Sequence, residues 1–191
     1  MIEFNYKALP WNIVFAVGGL QTLPNELDKL GKRRALILTT PNQAEQGREL
    51  AKLLGDRAVG LFDQAAMHVP AATLEAATDF CHSLAADCTV ALGGGSTIGL
   101  GKALAVKEGL DNIVIPTSYA GSEMTDIWAV TGAERKVTAR NYAAVPTLTL
   151  YDPQLTLTLP PEFSAASGLN AMAQAVVNVA TDKPNPIISS L

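Results

Sequence analysis

Between Thr89 and Ala103 an apolar run, Val90-Ala91-Leu92, meets Gly93-Gly94-Gly95, then Ser96-Thr97 and a helix-compatible segment. The order reads as strand, tight turn and helix start. Residues without a Cβ let the backbone approach a ligand, and the free N–H groups and dipole of a helix opening near Ser96 favour a phosphate. Ser96 is placed to cap that helix and to donate its hydroxyl to the same ligand. The spacing fits neither common nucleotide loop. A P-loop needs glycine where Ser96 stands and a hydroxyl residue where Ala103 stands. A dinucleotide fingerprint started at Gly93 needs glycine at Ile98, and one started at Gly94 needs it at Ser96. Phosphate binding is therefore argued from the glycines and hydroxyls alone, against the plainer reading of a turn whose glycines serve packing.

A second stretch, Thr117-Ser118-Tyr119-Ala120-Gly121-Ser122-Glu123-Met124-Thr125, crowds hydroxyls and a glycine directly after a buried-type strand, which suits hydrogen bonds to phosphate, ribose or a carboxamide. Its bland reading is a capped turn, with Ser122 or Thr125 satisfying a helix start. Arg135, Lys136 and Arg140 form a small basic cluster able to neutralise a diphosphate or a carboxylate, a solvated face being the simpler account of Arg135 and Arg140. His68 is a candidate proton donor in a loop, where a lone histidine is more often structural; His82 receives no role.

These groups need a frame that brings loops to one edge. Apolar stretches at Arg34–Thr40, Ala58–Phe62, Thr89–Leu92 and Asn112–Pro116 alternate with helical patterns at Leu20–Leu30, Gln43–Leu54, Thr73–Ala86 and the segment ending near Gly109. Such alternation predicts an α/β fold with a doubly wound, mostly parallel sheet whose ligands bind at the strands' carboxyl ends. The start reads as two short strands around Leu9-Pro10-Trp11, a hairpin-like flap. The polar stretch Asp126–Val137 and Thr147–Tyr151 read as a further strand pair. Thr158-Leu159-Pro160-Pro161 marks a boundary, dividing an α/β domain at 1–160 from helical structure over 161–191. Leu169–Ala180 is apolar almost all round, the pattern of a helix buried in a bundle, so the second domain is expected to be incomplete.

A hydrophobic share of 48%, a charged share of 17% and a net charge of −4 argue for a globular chain and against a nucleic-acid surface. Cys81 and Cys88 lack metal spacing and read as reduced thiols. Without a leader pattern at Met1 or an apolar run of membrane length, a cytoplasmic protein with no membrane partner is expected.

Gly93-Gly94-Gly95-Ser96-Thr97, Pro116 to Thr125, Tyr151-Asp152-Pro153 and Ser167-Gly168-Leu169-Asn170-Ala171 together resemble the iron-containing (group III) alcohol dehydrogenase family, and within it the maleylacetate reductases, over essentially the whole chain. The resemblance implies a dinucleotide-binding domain followed by an all-helical one, with the reaction in the cleft between them. It implies NADH or NADPH as cofactor, a small dicarboxylate as substrate, a homodimer, and reduction of 2-maleylacetate to 3-oxoadipate in aromatic-compound degradation. Carried over residue by residue, it assigns Gly94, Gly95 and Ser96 to the diphosphate. It sets Thr117, Ser118, Ser122 and Thr125 around diphosphate and nicotinamide, and makes Lys136 and Leu155 further cofactor contacts. Thr40 falls where relatives often carry a ribose-binding Asp; a neutral residue there removes repulsion of a 2′-phosphate, so both cofactors are expected to bind. Asn170 and Gln174 fall in the substrate pocket, where metal-dependent relatives carry an Asp and a His. Neutral amides are poor ligands for a catalytic ion, so no metal is expected. Catalytic groups other than His68 are expected beyond Leu191. A dinucleotide-binding module without turnover and a metal-dependent alcohol dehydrogenase are the alternatives.

Overall fold

A computed structural model describes residues 6–180. The apolar runs become short strands because each is covered on both faces, which leaves period-2 alternation to sort side chains between two cores. In Ala35–Leu38 (β2), Leu36 and Leu38 point to one core while Ala35 and Ile37 point to the other. Cys88–Gly93 (β4) divides likewise, with Ala91 on the first side and Val90 and Leu92 on the second.

Helices Leu23–Lys29 (α1) and Ala44–Leu54 (α2) close the second side through Leu23, Leu27, Leu50 and Leu54. Helices Ala71–Ser83 (α3) and Gly95–Glu108 (α4) close the first through Leu74, Ala77, Ile98, Leu100 and Leu104. Gly31 and Gly109, both left-handed, follow the last turns of α1 and α4, the conformation a helix stop requires.

With Ile13–Phe15 (β1), Ala58–Phe62 (β3), Asp111–Pro116 (β5) and Leu148–Tyr151 (β8), the sheet runs β1-β8-β5-β4-β2-β3 and every pairing is parallel. The expected doubly wound α/β fold is therefore present. The chain winds outward from β2 to β3 and then restarts at β4 on the other side of β2. The β2/β4 boundary is thus the switch point, where the following loops part and leave a crevice.

Two sequence expectations are corrected. The start is no hairpin: β1 is an edge strand lying parallel to β8, and no strand precedes it among the described residues, while Phe4 and Asn5 lie outside them. Asp126–Val137 does not pair with Thr147–Tyr151. Instead Ile127–Thr131 (β6) and Lys136–Arg140 (β7) make a separate antiparallel hairpin, and β8 enters the main sheet between β5 and β1. The hairpin is half-exposed or exposed throughout, whereas β8 is apolar enough to be buried.

The helical structure expected from Pro161 is present as one continuous helix, Pro161–Val179 (α5), which takes in the apolar segment that starts at Leu169. Its Leu169, Met172, Val176 and Val177 are exposed, Leu169 by 65%. The bundle expected around them, like all structure past Ala180, falls outside the described residues.

Cys81 and Cys88 are buried and free. Burial, helped by Glu108, pushes the Cys81 thiol up to about 11; burial and then Asp87 push Cys88 further in the same direction. Both stay protonated at neutral pH, and the thiolate is the nucleophile. The folded chain is expected to resist a chromogenic disulfide reagent at neutral pH and to titrate both thiols once unfolded in urea. Prompt reaction of either thiol in the folded chain contradicts that burial.

Candidate functional site

β4 delivers its last residue, Gly93, into a conformation open only to glycine, with φ of 154°. A Cβ there would lie 2.6 Å from Thr97 Oγ1 and 2.8 Å from Gln43 Oε1. The turn is held from the side, since Thr117 N donates to Gly93 O at 3.1 Å. Helix α4 then starts from an extended Gly94, and no side chain caps it. The expected Ser96 cap is corrected: Ser96 is already inside the first helical turn, so its hydroxyl cannot take the capping place. The helix dipole and the first-turn amides remain for a ligand.

Two clefts meet at this turn, and Gly95 and Ser96 line both. The larger, of about 600 Å³, opens at the switch point and collects Thr40, Gln43 and Gln46 after β2, Gly94 after β4, and Thr117 and Ser118 after β5. Pro160 and Phe163 at the start of α5 form its far wall. The smaller, of about 420 Å³, lies under the hairpin and is lined by His68, Ser122, Trp128, Lys136 and Thr138.

Of the residues singled out from the sequence, Thr40, Gly94, Gly95, Ser96, Thr117 and Ser118 share one cleft, and His68, Ser122 and Lys136 share the other with Gly95 and Ser96. Leu155 lies apart, in a groove with Leu20, Glu49 and Leu53 that touches the larger cleft through Gln46. Thr125 lines neither cleft, and its Oγ1 accepts from Lys102 Nζ at 3.0 Å. Asn170 and Gln174 are exposed on α5 and line neither cleft. Arg140 is committed elsewhere, its Nη1 2.7 Å from Asp126 Oδ1, and Arg135 is exposed, which leaves Lys136 as the cation of the smaller cleft.

His68 and Val69 both adopt left-handed backbone, with φ of 64° and 48°. Such residues cost of order 1 kcal/mol each and persist where neighbours hold them. Here the hairpin does so: Thr131 Oγ1 donates to His68 O at 2.8 Å and Thr131 N to Val69 O at 2.9 Å. His82 is remote and pairs with Glu108.

The sequence reading missed Gln43, Lys102 and Glu123. Gln43 Nε2 donates to Thr117 Oγ1 at 3.0 Å and Gln46 Oε1 at 3.1 Å, tying the β2 and β5 loops together across the larger cleft. Lys102 is buried at 1% exposure in α4, and burial pushes its ammonium down to about 8 against the opposing pull of Asp126 and Glu123. A lysine flanked by Leu100, Gly101, Ala103 and Leu104 on an apolar helix was the available signal. Glu123, 3% exposed, accepts from Tyr151 OH at 2.8 Å, and burial, then the Glu123 charge, raise that phenol.

No group of three or more His, Cys, Asp or Glu side chains able to hold a metal exists among the described residues. Asn170 and Gln174 offer only uncharged amide oxygens and nitrogens, which by themselves are weak donors for a divalent ion. Among the described residues, too, no helix is long and apolar enough to cross a membrane.

The sequence model of the family described as "Iron-containing alcohol dehydrogenase" matches residues 10–153. A maleylacetate reductase of Sphingobium indicum is 50% identical over 188 residues, covering 98% of this chain and 53% of its own length. The crystal structure of maleylacetate reductase from Agrobacterium tumefaciens superimposes with a TM-score of 0.96 at 45% identity, over 100% of this chain and 54% of that one. A sulfoacetaldehyde reductase from Bifidobacterium kashiwanohense, solved in complex with NAD+, shares the fold at 21% identity and a TM-score of 0.91, over 100% and 57% of the two chains. The chain thus spans about half the length of the relatives it matches.

Proposed function

The chain belongs to the iron-containing alcohol dehydrogenase family, and from that premise we propose that it is the dinucleotide-holding part of an NAD(P)H-dependent reductase of 2-maleylacetate. In this reading residues 1–160 hold the cofactor and 161–191 begin a helical domain. The observation that carries it is the uncapped start of α4 at Gly94, Gly95 and Ser96, set between two clefts at the switch point of the sheet.

A bound nicotinamide supplies the hydride that reduces the substrate's carbon–carbon double bond to give 3-oxoadipate. The chain's own residues bind and orient. First-turn amide N–H groups of α4 donate to the diphosphate, and Thr117 and Ser118 offer hydroxyls beside it in the larger cleft. Thr40 has no charge to repel a 2′-phosphate, so NADH and NADPH both enter. Lys136 and Ser122 face the smaller cleft, where a cation and a hydroxyl offset negative charge on the cofactor or on a dicarboxylate. His68 sits in the same cleft as the available proton carrier. Leu155 contributes from the neighbouring groove, and Thr125 acts through the turn it stabilises. Asn170 and Gln174 extend the site on the α5 side. The family's description names iron; the metal-free reading rests on those two amides, and activity that survives dialysis against a chelator supports it.

The apolar side chains of Phe15, at the end of edge strand β1, and Val17, just past it, are exposed and suit the homodimer included in this reading. The deciding experiment mixes the chain with NADH and 2-maleylacetate. Loss of NADH absorbance is the expected result. A change in NADH fluorescence without that loss assigns a binding module. Oxidation of a simple alcohol only on adding iron or zinc overturns the metal-free assignment.

A further inference from the structure

We propose that Lys102 is a positioning residue, an internal pin that holds the Ser122–Thr125 turn against helix α4 and so sets the wall of the smaller cleft. A buried ammonium normally sits against a carboxylate. This one does not: Nζ donates to Ser122 O at 2.7 Å, Thr125 O at 2.7 Å and Thr125 Oγ1 at 3.0 Å. An ammonium has three donors, and all are spent on one turn. Thr125 Oγ1 in turn donates to Ser122 O at 3.2 Å, so the two ends of the turn are bound to each other through the same lysine.

The turn needs such a pin because its own main chain does little to hold it. It starts from a left-handed Gly121 and is closed by short 3-10 bonds, Met124 N to Gly121 O and Thr125 N to Ser122 O. Its consequences reach the cleft at two places. Ser122 lines it directly. Just past the turn, Asp126 O accepts from Asn141 N at 2.9 Å and Asp126 Oδ1 pairs with Arg140, which fixes the base of the hairpin carrying Trp128, Lys136 and Thr138. Because Lys102 and the Gly95-Ser96 amides ride on the same helix, one side chain sets the register between anion-binding turn and opposing wall.

Lys102→Met keeps the stem and removes every donor, leaving Ser122 O and Thr125 O without their ammonium partner. Hydrogen exchange of the ligand-free chain, read by mass spectrometry, is expected to quicken at least tenfold over 119–128, since one charged hydrogen bond alone is worth about that factor and all three are removed, while β4, β5 and α4 exchange as before. NADH affinity is expected to fall by about the same factor if the proposed cofactor assignment holds. Thr125→Val, which keeps volume and removes one hydroxyl, the acceptor for Lys102 and the donor to Ser122 O, is expected to quicken the same segment to a smaller degree, and it decides the question if the Met variant does not fold. Unchanged exchange over 119–128, or an increase spread evenly over the sheet, overturns the pin. The exchange arm uses no ligand, so a wild-type chain that fails to bind NADH sinks the cofactor reading and leaves the positioning role of Lys102 intact.

Discussion

Gly95→Leu is expected to lower dinucleotide affinity by about a hundredfold, the loss of two charge-assisted hydrogen bonds to phosphate, with the fold intact. Gly95 is exposed at the first position of α4, and the nearest atom to a Cβ built there is Ala120 Cβ at 3.8 Å, an ordinary contact. The added side chain therefore grows into the space shared by the two clefts, where an anion has to come within about 3 Å of the amides. Nothing in the core is disturbed, and leaving glycine at a helix start favours the helix if anything. Thermal unfolding checks the fold and equilibrium titration with NADH checks the site. Affinity equal to that of the unaltered chain removes the diphosphate from this turn, and the proposed activity with it.

The opposite result is expected six residues further along the same helix. Gly101 faces Asn112 of β5, and a Cβ there would lie 2.5 Å from Asn112 Oδ1 and 2.9 Å from the rest of the amide. Asn112 has no room to retreat: it is 1% exposed and its Oδ1 accepts from Thr89 Oγ1 at 3.0 Å. Gly101→Val must either part α4 from the sheet or break that buried bond. Overpacking and an orphaned acceptor together cost about 3 kcal/mol. For a chain of this size that lowers the melting temperature by about 10 °C. Urea unfolding gives the free energy directly, and a neutral variant shows that α4 does not press on β5 as described. The pair of glycines separates two uses of one residue type, access for a ligand at Gly95 and close approach of helix to sheet at Gly101.

Only the first use is marked in the sequence itself. Gly93 to Gly95 stand out because they are consecutive and precede Ser96, whereas Gly101 is one residue in an apolar helix pattern. The same limit explains the misplaced hairpin. Thr147–Tyr151 and Asp126–Val137 are both strand-like, and local pattern carries no information on whether a strand pairs with its neighbour or inserts beside β5. β8 enters the sheet because Leu148 and Leu150 complete the core around Ile113 and Ile115, a contact between residues distant in the chain. The exposed β7, with Lys136 and Arg140, could not have done so without burying charge.

What the amino-acid order determined by itself is the local part of this protein. Apolar runs with glycine and proline stops settle the alternation of strand and helix, and that alternation requires a parallel sheet with its loops at one edge, the triple glycine among them. Only the tertiary structure decided which loops meet. It put Thr40 and Gln43 beside Gly94 by winding the chain both ways from β2, left Asn170 and Gln174 outside both clefts, and turned Lys102 inward onto Ser122 and Thr125. The physical reason is range. Hydrophobic period and turn chemistry act over a few residues, whereas burial of a charge or closure of a cleft depends on groups that the chain brings together only after it has folded.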